Sequence, residues 1–312
     1  MRKFITILFF LFPSILCCAQ SKSICITIDD LPVVSMDQSD DRINYITKSL
    51  LNTLKNFKVP AIGFVNEVKL TVDGKASTAN EVLLTEWHNS GMELGNHTYS
   101  HIDANSNSIE NIEKEIVNGE KFTNELFKSD KKRIKYLRHP FLHKGNTVEK
   151  KNAYAMLLQK YNYTEAPVTI DNSDYIFARA YDIAFSKKDE GMMKKIGEAY
   201  VPYMMSKVTY YENQANGLFQ RNIAQILLLH ANSINADYLA LLFEAMKKDN
   251  YQFISLTAAL KDPAYASTDG FVGNAGISWI HRWMITQKKP KSEFAGEPKV
   301  PEFILKYTGL EE

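Results

Sequence analysis

The stretch Ser23–Asp30, with the sequence SICITIDD, sets the fold class that we predict for this chain of 312 residues. Its isoleucines and its threonine favour an extended backbone, and the apolar run is typical of a buried strand. A helical stripe of apolar residues follows over Asp41–Phe57, and a second short strand over Ala61–Val65. Strands that alternate with helices pair in parallel through right-handed crossovers, so the pattern indicates an α/β fold.

The same alternation continues toward the C-terminus and predicts seven parallel strands in a single (β/α) barrel domain, with the active site at the strand ends. The further predicted strands are Met92–Asn96, Ile134–Arg138, Pro167–Asp171, Ile223–His230 and Gln252–Leu256. The further predicted helices are Glu81–Ser90, Ile109–Phe127, Thr147–Tyr161, most of Asp174–Gln220 with interruptions near Gly191 and Pro202, and Asp237–Lys248. We expect a loop over Lys69–Asn80.

The predicted domain covers residues 20–262, and residues 263–312 form a C-terminal extension. Trp279 and Trp283 are too apolar to remain in solvent, so we expect the extension to pack on the domain. Lys288–Pro301 is rich in lysine and proline, which predicts an extended surface segment.

The N-terminal segment, residues 1–19, predicts an export signal that is removed. Arg2 and Lys3 precede the apolar run Phe4–Leu16, which is too short to span a bilayer, and small residues follow before Gln20. Cleavage there removes two positive charges, changes the formal net charge from +1 to −1, and leaves no transmembrane segment. We therefore expect a periplasmic or extracellular protein; a lipoprotein modified at Cys18 fits less well.

The composition argues against a nucleic-acid partner and against an internal disulfide. The 37 basic and 36 acidic residues show no long basic run, whereas nucleic-acid binding requires clustered lysine and arginine. Cleavage leaves one cysteine, Cys25, which cannot form an internal disulfide and is expected in the core. The sequence leaves the oligomeric state open.

Five polar clusters follow the predicted strands, at the position where barrel enzymes place catalytic groups. They are Asp29-Asp30, His97 with His101, Arg138, Asp171 with Asp174 and Tyr175, and His230. Taken singly, each has an ordinary explanation: a turn or helix cap for the aspartates, a surface pair for the two histidines, a surface arginine, and a hydrogen-bonded core histidine.

The first two clusters together indicate a metal site. Adjacent carboxylates at a strand end are unfavourable unless a cation lies near them. His97 and His101 lie four residues apart, on one side of a helical turn. With Asp30 they supply two imidazoles and one carboxylate, which leaves a coordination position for water. This donor set favours Zn²⁺, with Co²⁺, Ni²⁺ and Mn²⁺ as alternatives.

Taken in order, the five clusters resemble the motifs of the polysaccharide deacetylase family, also called the NodB-homology domain or carbohydrate esterase family four. The resemblance runs over about residues 24–256, and the ordered set is far more specific than any single motif. It implies a deformed (β/α) barrel and metal-dependent hydrolysis of N-acetyl, sometimes O-acetyl, groups on glycans.

The resemblance also implies a role for each of ten residues. Asp29 is the general base and His230 the general acid. Arg138 orients Asp29, and Asp174 pairs with His230. The remaining six are the metal ligands Asp30, His97 and His101, the oxyanion donor at the backbone N–H of Phe141, and the acetyl-pocket residues Tyr175 and Leu229.

The chain departs from the family pattern at three places. Tyr175 stands where the family usually has tryptophan, which changes the expected pocket shape. The third motif continues as FLHKG over residues 141–145, and His143 there has either a surface or a substrate-contact role. The long helical stretch Asp174–Gln220 is expected to shape a groove.

Two other functions fit the same residues less well. A non-catalytic glycan-binding or adaptor protein on this fold needs neither an acid nor a base. A metal-dependent amidase acting on peptides or small amides would use the same groups but release a different product. Chitin oligomers, peptidoglycan, exopolysaccharide and acetylated xylan are all candidate glycans.

Overall fold

Nine strands and eleven α-helices occur in the residues that the computed structural model describes, 22–128 and 133–312. The strands are β1 (Lys22–Leu31), β2 (Ile62–Val65), β3 (Thr71–Val72), β4 (Lys75–Ala76), β5 (Glu93–Asn96), β6 (Tyr136–Leu137), β7 (Thr164–Glu165), β8 (Gln225–His230) and β9 (Tyr251–Phe253). The helices are α1 (Asp40–Phe57), α2 (Thr78–Asn89), α3 (Ile109–Asn118), α4 (Lys121–Lys128), α5 (Val148–Lys160), α6 (Asp174–Ser186), α7 (Glu190–Phe219), α8 (Ser233–Lys248), α9 (Leu256–Ala259), α10 (Trp279–Thr286) and α11 (Glu302–Thr308). The predicted signal, residues 1–19 with Cys18, lies outside the described residues.

Strand β1 lies between β2 and β8, and its first residues also pair with β9. Beyond β2 the sheet continues through β5, β6 and β7, and every pairing in this seven-stranded sheet is parallel. Parallel strands bring their C-terminal ends to one edge, so Asp29 of β1 lies beside His230 of β8 in register.

The segment that follows α5, residues 164–170, closes the sheet into a deformed barrel. It pairs with β6 at Thr164–Glu165, and further along Ile170 forms a single bridge with Leu227 of β8. The predicted strand Pro167–Asp171 is therefore wrong in its bounds, because only Ile170 pairs there. Pro167 has no N–H to donate, which interrupts the ladder. The predicted barrel of about seven parallel strands in one domain is confirmed.

Side chains of β1 alternate between two apolar layers. Cys25 packs on one face with Phe64 and Ile226, while Ile24 and Ile26 pack in the larger cluster that includes the surrounding helices. Cys25 is a buried, free cysteine, as expected from its apolar surroundings. Burial raises the pKa of its thiol.

Two helix predictions differ from the structure. The single helix predicted over Ile109–Phe127 is two helices, α3 and α4, which separate at Gly119. A Cβ at Gly119 would lie 2.8 Å from the backbone of Thr98 and Tyr99, so glycine permits the chain to approach the His97–His101 loop closely. Helix α7 continues through Pro202, and the break in the 174–220 stretch lies before it, at residues 187–189.

The predicted loop Lys69–Asn80 contains more regular structure than expected. It forms the antiparallel hairpin β3–β4 around Asp73-Gly74, and α2 already begins at Thr78. The side chain of Ser77 caps α2 by accepting a hydrogen bond from the N–H of Asn80, which fixes the earlier start.

The C-terminal extension packs on the barrel through α10, in which Trp279 and Trp283 are buried. A second helix, α11, packs against α6. Within the described ranges, no helix combines the length and the apolar character that crossing a bilayer requires.

Candidate active site

The C-terminal ends of the strands open into a cavity of about 760 Å³. Seven of the ten residues predicted for the site line it, namely Asp29, Asp30, His97, His101, Phe141, Tyr175 and His230. Arg138 and Asp174 are fully buried and contact lining residues from below. Leu229, the last of the ten, does not line the cavity.

A backbone irregularity brings two adjacent aspartates to the same cavity. Side chains alternate along a regular strand, so Asp29 faces the interior with Thr27 and the next residue would face the helices. Asp30 instead has φ of 69°, and the β1–β2 register shifts between Ile28 and Leu31. Both carboxylates therefore line the cavity.

Asp30, His97 and His101 form the candidate metal cluster. Oδ1 of Asp30 lies 3.8 Å from Nε2 of His97 and 3.7 Å from Nε2 of His101. One ligand atom from each residue lies within 4.8 Å of the others. Metal–ligand bonds of about 2.0–2.2 Å place neighbouring ligand atoms roughly 3–4 Å apart, so the separations of 3.8 and 3.7 Å from Oδ1 of Asp30 fit an ion beside it.

The hydrogen bonding of Asp30 supports this fit. Its Oδ1 is buried and has no hydrogen-bond partner, which is unfavourable for a carboxylate unless a ligand compensates. Lys69 donates instead to the backbone carbonyl of Asp30 at 2.8 Å. Burial acts to raise the pKa of Asp30, but Lys69 and, to a smaller extent, the nearby histidines His230, His97 and His101 together hold that pKa below its usual range.

His97 is oriented for metal binding by its other ring nitrogen. Nδ1 lies 2.9 Å from the carbonyl oxygen of Arg138, and a carbonyl only accepts, so Nδ1 carries the proton. Nε2 is then unprotonated and faces Asp30. Burial, with a smaller contribution from His101, lowers the pKa of His97 well below its ordinary value, so the imidazole is neutral.

The candidate base, Asp29, is held by Arg138. Nη1 of the arginine lies 3.2 and 3.4 Å from the two carboxylate oxygens of Asp29. Nε donates to the carbonyl of Ala166 at 2.8 Å and Nη2 to Oγ1 of Thr27 at 3.1 Å, which fixes the guanidinium. Burial raises the pKa of Asp29 to about 6 although Arg138 acts to lower it.

The candidate acid, His230, is held by Asp174. Nδ1 of His230 lies 2.6 Å from Oδ1 of Asp174, at the start of α6. The second oxygen accepts from the N–H of His230 at 2.9 Å and from Nδ2 of Asn235 and Asn232 at 2.8 and 3.1 Å. Burial alone would lower the pKa of His230, but the Asp174 carboxylate raises it to about 9.

Sequence reasoning missed the two asparagines and misplaced one leucine. Asn232 and Asn235 follow the His230 motif in the sequence ANSIN, and the N-cap signal at Asn232 could have indicated the first. Leu228, on the same face of β8 as His230, lines the cavity, whereas Leu229 points to the helices and is fully buried. The structure therefore does not support Leu229 as a pocket residue, because side chains alternate along β8.

Phe141 and Tyr175 present exposed aromatic rings at the mouth of the cavity. The ring of Phe141 packs edge-on against His101, with centroids 4.5 Å apart. His143, left open between a surface and a substrate role, instead contacts Asp103 through Nδ1 at 2.7 Å and does not belong to the cavity lining.

The parallel sheet of this protein curls into a barrel and carries imidazoles and carboxylates at the C-terminal ends of its strands. This arrangement is typical of barrel enzymes that catalyse hydrolysis. Residues 18–159 match the family model described as polysaccharide deacetylase, which confirms the predicted resemblance to this family of deacetylases. The match spans the Asp30, His97 and His101 cluster, whereas Asp174 and His230 lie beyond it.

The chain is similar to several solved structures at low sequence identity. A mutant of a Bacillus anthracis CE4 family pseudoenzyme, with restored enzymatic activity, gives a TM-score of 0.50 at 15% identity over 77% of this chain and 68% of that chain. A Bacillus subtilis peptidoglycan deacetylase gives 0.48 at 18% identity, over 78% and 91%. A Streptomyces lividans family 4 carbohydrate esterase in complex with acetate gives 0.47 at 16%, over 76% and 95%. No curated protein matches the chain.

Proposed function

We propose that the protein is an exported, metal-dependent deacetylase that hydrolyses acetyl groups, foremost N-acetyl groups, of a carbohydrate or polysaccharide. The observation that carries the proposal is the buried Oδ1 of Asp30, which accepts no hydrogen bond, has Nζ of Lys69 no nearer than 3.9 Å and faces two neutral imidazole nitrogens. Export is supported by the charged start at Arg2 and Lys3 and by the apolar run Phe4–Leu16 that follows it.

Asp30, His97 and His101 hold one divalent cation, and their donor set favours Zn²⁺ over Co²⁺, Ni²⁺ and Mn²⁺. When bound, such a cation supplies Lewis acidity, which polarises a carbonyl and makes water more acidic. The hydrogen bond from His97 to the carbonyl of Arg138 keeps the correct nitrogen free for this role.

Asp29 acts as the general base. With a pKa of about 6 it is ionised at neutral pH and accepts a proton from the water that attacks the acetyl carbon. Arg138 keeps the carboxylate in place and prevents rotation away from the cavity. The backbone N–H of Phe141 donates to the oxygen that becomes negative as the carbonyl carbon turns tetrahedral.

His230 acts as the general acid. It gives its proton to the sugar nitrogen as the C–N bond breaks, so the products are acetate and a free amine. Asp174 stabilises the charged imidazole that this transfer requires. Base and acid are thus kept in opposite protonation states by different neighbours.

Product analysis tests the proposal. The purified protein is incubated with added Zn²⁺, Co²⁺, Ni²⁺ or Mn²⁺ and N-acetylated chitin oligomers, peptidoglycan, exopolysaccharide or acetylated xylan. We expect acetate from at least one glycan, with one free amine per acetate where the acetyl group was N-linked and a free hydroxyl where it was O-linked. Cleavage of peptide amides without acetate would instead indicate an amidase, and binding without turnover an adaptor protein.

A further inference from the structure

The turn that carries Phe141 has an unfavourable backbone. Phe141 and Leu142 have φ of 55° and 56°, in the left-handed region that favours glycine. Two hydrogen bonds close the turn, from Leu142 N to His139 O and from the next N–H to Pro140 O, both at 3.0 Å. Such a conformation persists only where surrounding structure holds it.

One part of that surrounding structure is a buried arginine in the C-terminal extension. Arg282, in α10, donates through Nη2 to the carbonyl of Leu142 at 2.6 Å. Its Nε donates to the carbonyl of Ile277 at 3.2 Å, and the side chain is almost fully buried. Nη1 of Arg282 also lies 3.7 Å from Oδ2 of Asp269, a carboxylate that Lys144 binds more closely, at 2.9 Å.

A second part is Gly276, which lies close to the carbonyl group of Phe141. A Cβ added at Gly276 would lie 1.8 Å from the carbonyl oxygen of Phe141 and 2.9 Å from its carbonyl carbon. Gly276 has no positive φ, so its importance lies in the close approach and not in its own conformation. It also lines the cavity.

The segment around Gly276 is fastened to the barrel on both sides. The carbonyl of Asn274 accepts from Nδ2 of Asn105 at 3.2 Å. On the other side, Oγ of Ser278 donates to the carbonyl of Thr169, and the N–H of Trp279 to the carbonyl of Val168, both at 2.7 Å. We call residues 274–282 the strap.

We propose that the strap is a positioning element for the deacetylation reaction: Gly276 contacts the carbonyl of Phe141 and Arg282 binds that of Leu142. These contacts fix the Phe141–Leu142 peptide and, through it, the orientation of Phe141, so that the N–H of Phe141 points at the developing oxyanion. The inference rests on the proposed function, and the strap lies outside the segment 18–159 that matches the family model. Oxyanion donors act only at the correct distance, and a displacement of about 1 Å reduces the rate by up to roughly 10²-fold.

The test compares two glycine variants in the full-length holoprotein. Gly276→Ala forces the Phe141 carbonyl to move by about 1 Å, because real Cβ contacts shorter than 3.0 Å do not occur. Gly217→Ala is the matched control, since a Cβ there meets nothing within 4 Å in helix α7. Crystal structures of both variants, with kcat, KM and bound metal, give the readouts.

We expect Gly276→Ala to shift the Phe141 peptide and to lower kcat by about 10- to 100-fold, with KM within about threefold and metal content unchanged. Gly217→Ala should match the wild type in every readout. A Phe141 peptide that keeps its wild-type position in Gly276→Ala, or a shift without loss of kcat, would overturn the inference. If the wild type releases no acetate, the proposed function is refuted. The crystal structures would still show whether Gly276 fixes the position of Phe141.

Variants of Arg282 keep the inference testable should Gly276→Ala fail to fold. Arg282→Met fills the space without donors, and Arg282→Lys retains one donor and the charge. We expect a kcat loss of about tenfold for Arg282→Met and a partial recovery for Arg282→Lys, again with metal retained. Equal kcat values for both variants and the wild type would contradict the role of the strap.

Discussion

Asp30 and Asp174 are buried carboxylates on two sides of one cavity, and their hydrogen bonding differs. Oδ1 of Asp30 accepts no hydrogen bond and has only the distant ammonium of Lys69 at 3.9 Å, whereas both oxygens of Asp174 accept hydrogen bonds from His230 and nearby asparagines. An unpaired buried acceptor costs about 1–3 kcal/mol. The Asp30 carboxylate therefore has room for an external ligand, while the hydrogen bonds of Asp174 are complete within the protein. This difference is what we expect if Asp30 binds a cation and Asp174 positions the proton of His230.

The largest expected effect separates the two adjacent aspartates. Asp30→Asn replaces an anionic ligand by a neutral one, so we expect loss of bound metal and of nearly all acetate release, with partial rescue by excess metal. Asp29→Asn keeps the shape but removes the base, so metal should remain while the rate falls by about 10²-fold or more. Elemental analysis and rates at low and high metal check both variants.

The opposite pattern, with metal lost from Asp29→Asn and kept by Asp30→Asn, would reverse the assignment. Full activity of both variants would show that the pair has no catalytic role. Asp262→Asn is a suitable control, because this carboxylate pairs with Arg221 away from the cavity lining.

A smaller effect is expected on the acid side. His230 must carry a proton to act as an acid, and its pKa of about 9 keeps it charged through neutral pH. Asp174→Asn removes the charge that raises this pKa, while burial still lowers it. The alkaline limb of the kcat profile should therefore move from near pH 9 toward lower pH, while Asp30 and Asp29 still act to raise the pKa of His230.

Measuring kcat between pH 6 and 10 checks this shift, and bound metal should stay at the wild-type level. His230→Ala should lose about 10²-fold or more at every pH, again with metal retained. An unchanged alkaline limb in Asp174→Asn would remove Asp174 from this role. Loss of metal from folded His230→Ala would show that His230 is a metal ligand. The functional difference drawn here between Asp30 and the Asp174–His230 pair would then be wrong.

The smallest effect distinguishes neighbouring leucines of β8. Leu228 lines the cavity, so Leu228→Ala should raise KM by several-fold while the protein stays folded. Leu229 is fully buried away from the lining, so Leu229→Ala should leave KM unchanged but reduce the free energy of unfolding by about 2–5 kcal/mol. Steady-state kinetics and denaturant unfolding measure both; a KM effect confined to Leu229→Ala would restore the prediction made from the sequence.

The strand pattern allowed the barrel to be predicted, and seven of the ten site residues predicted with it line one cavity. The apolar run before Asp29 and the one before His230 are buried strands, and their ends meet because the sheet is parallel. The candidate metal cluster was predicted for the same reason, since Asp30 lies near the end of β1 and the two histidines follow β5.

The errors come from long-range geometry. Pro167 fits a strand by composition, yet the sheet closes through a single bridge at Ile170. The left-handed turn at Asp30 and the separation of α3 from α4 at Gly119 depend on backbone contacts that no local pattern records. The contact between Gly276 and Phe141 joins segments far apart along the chain and is equally invisible in the sequence.

In this account, Oδ1 of Asp30, which accepts no hydrogen bond, belongs to a metal site required for deacetylation. That claim is tested most directly by acetate release from the best glycan substrate after chelation and after titration of Zn²⁺ into the stripped protein. We expect no release from the metal-free protein and recovery that saturates at one Zn²⁺ per chain, with His97→Ala remaining inactive throughout. Full activity of the metal-free protein, or full activity of His97→Ala without bound metal, would contradict the account.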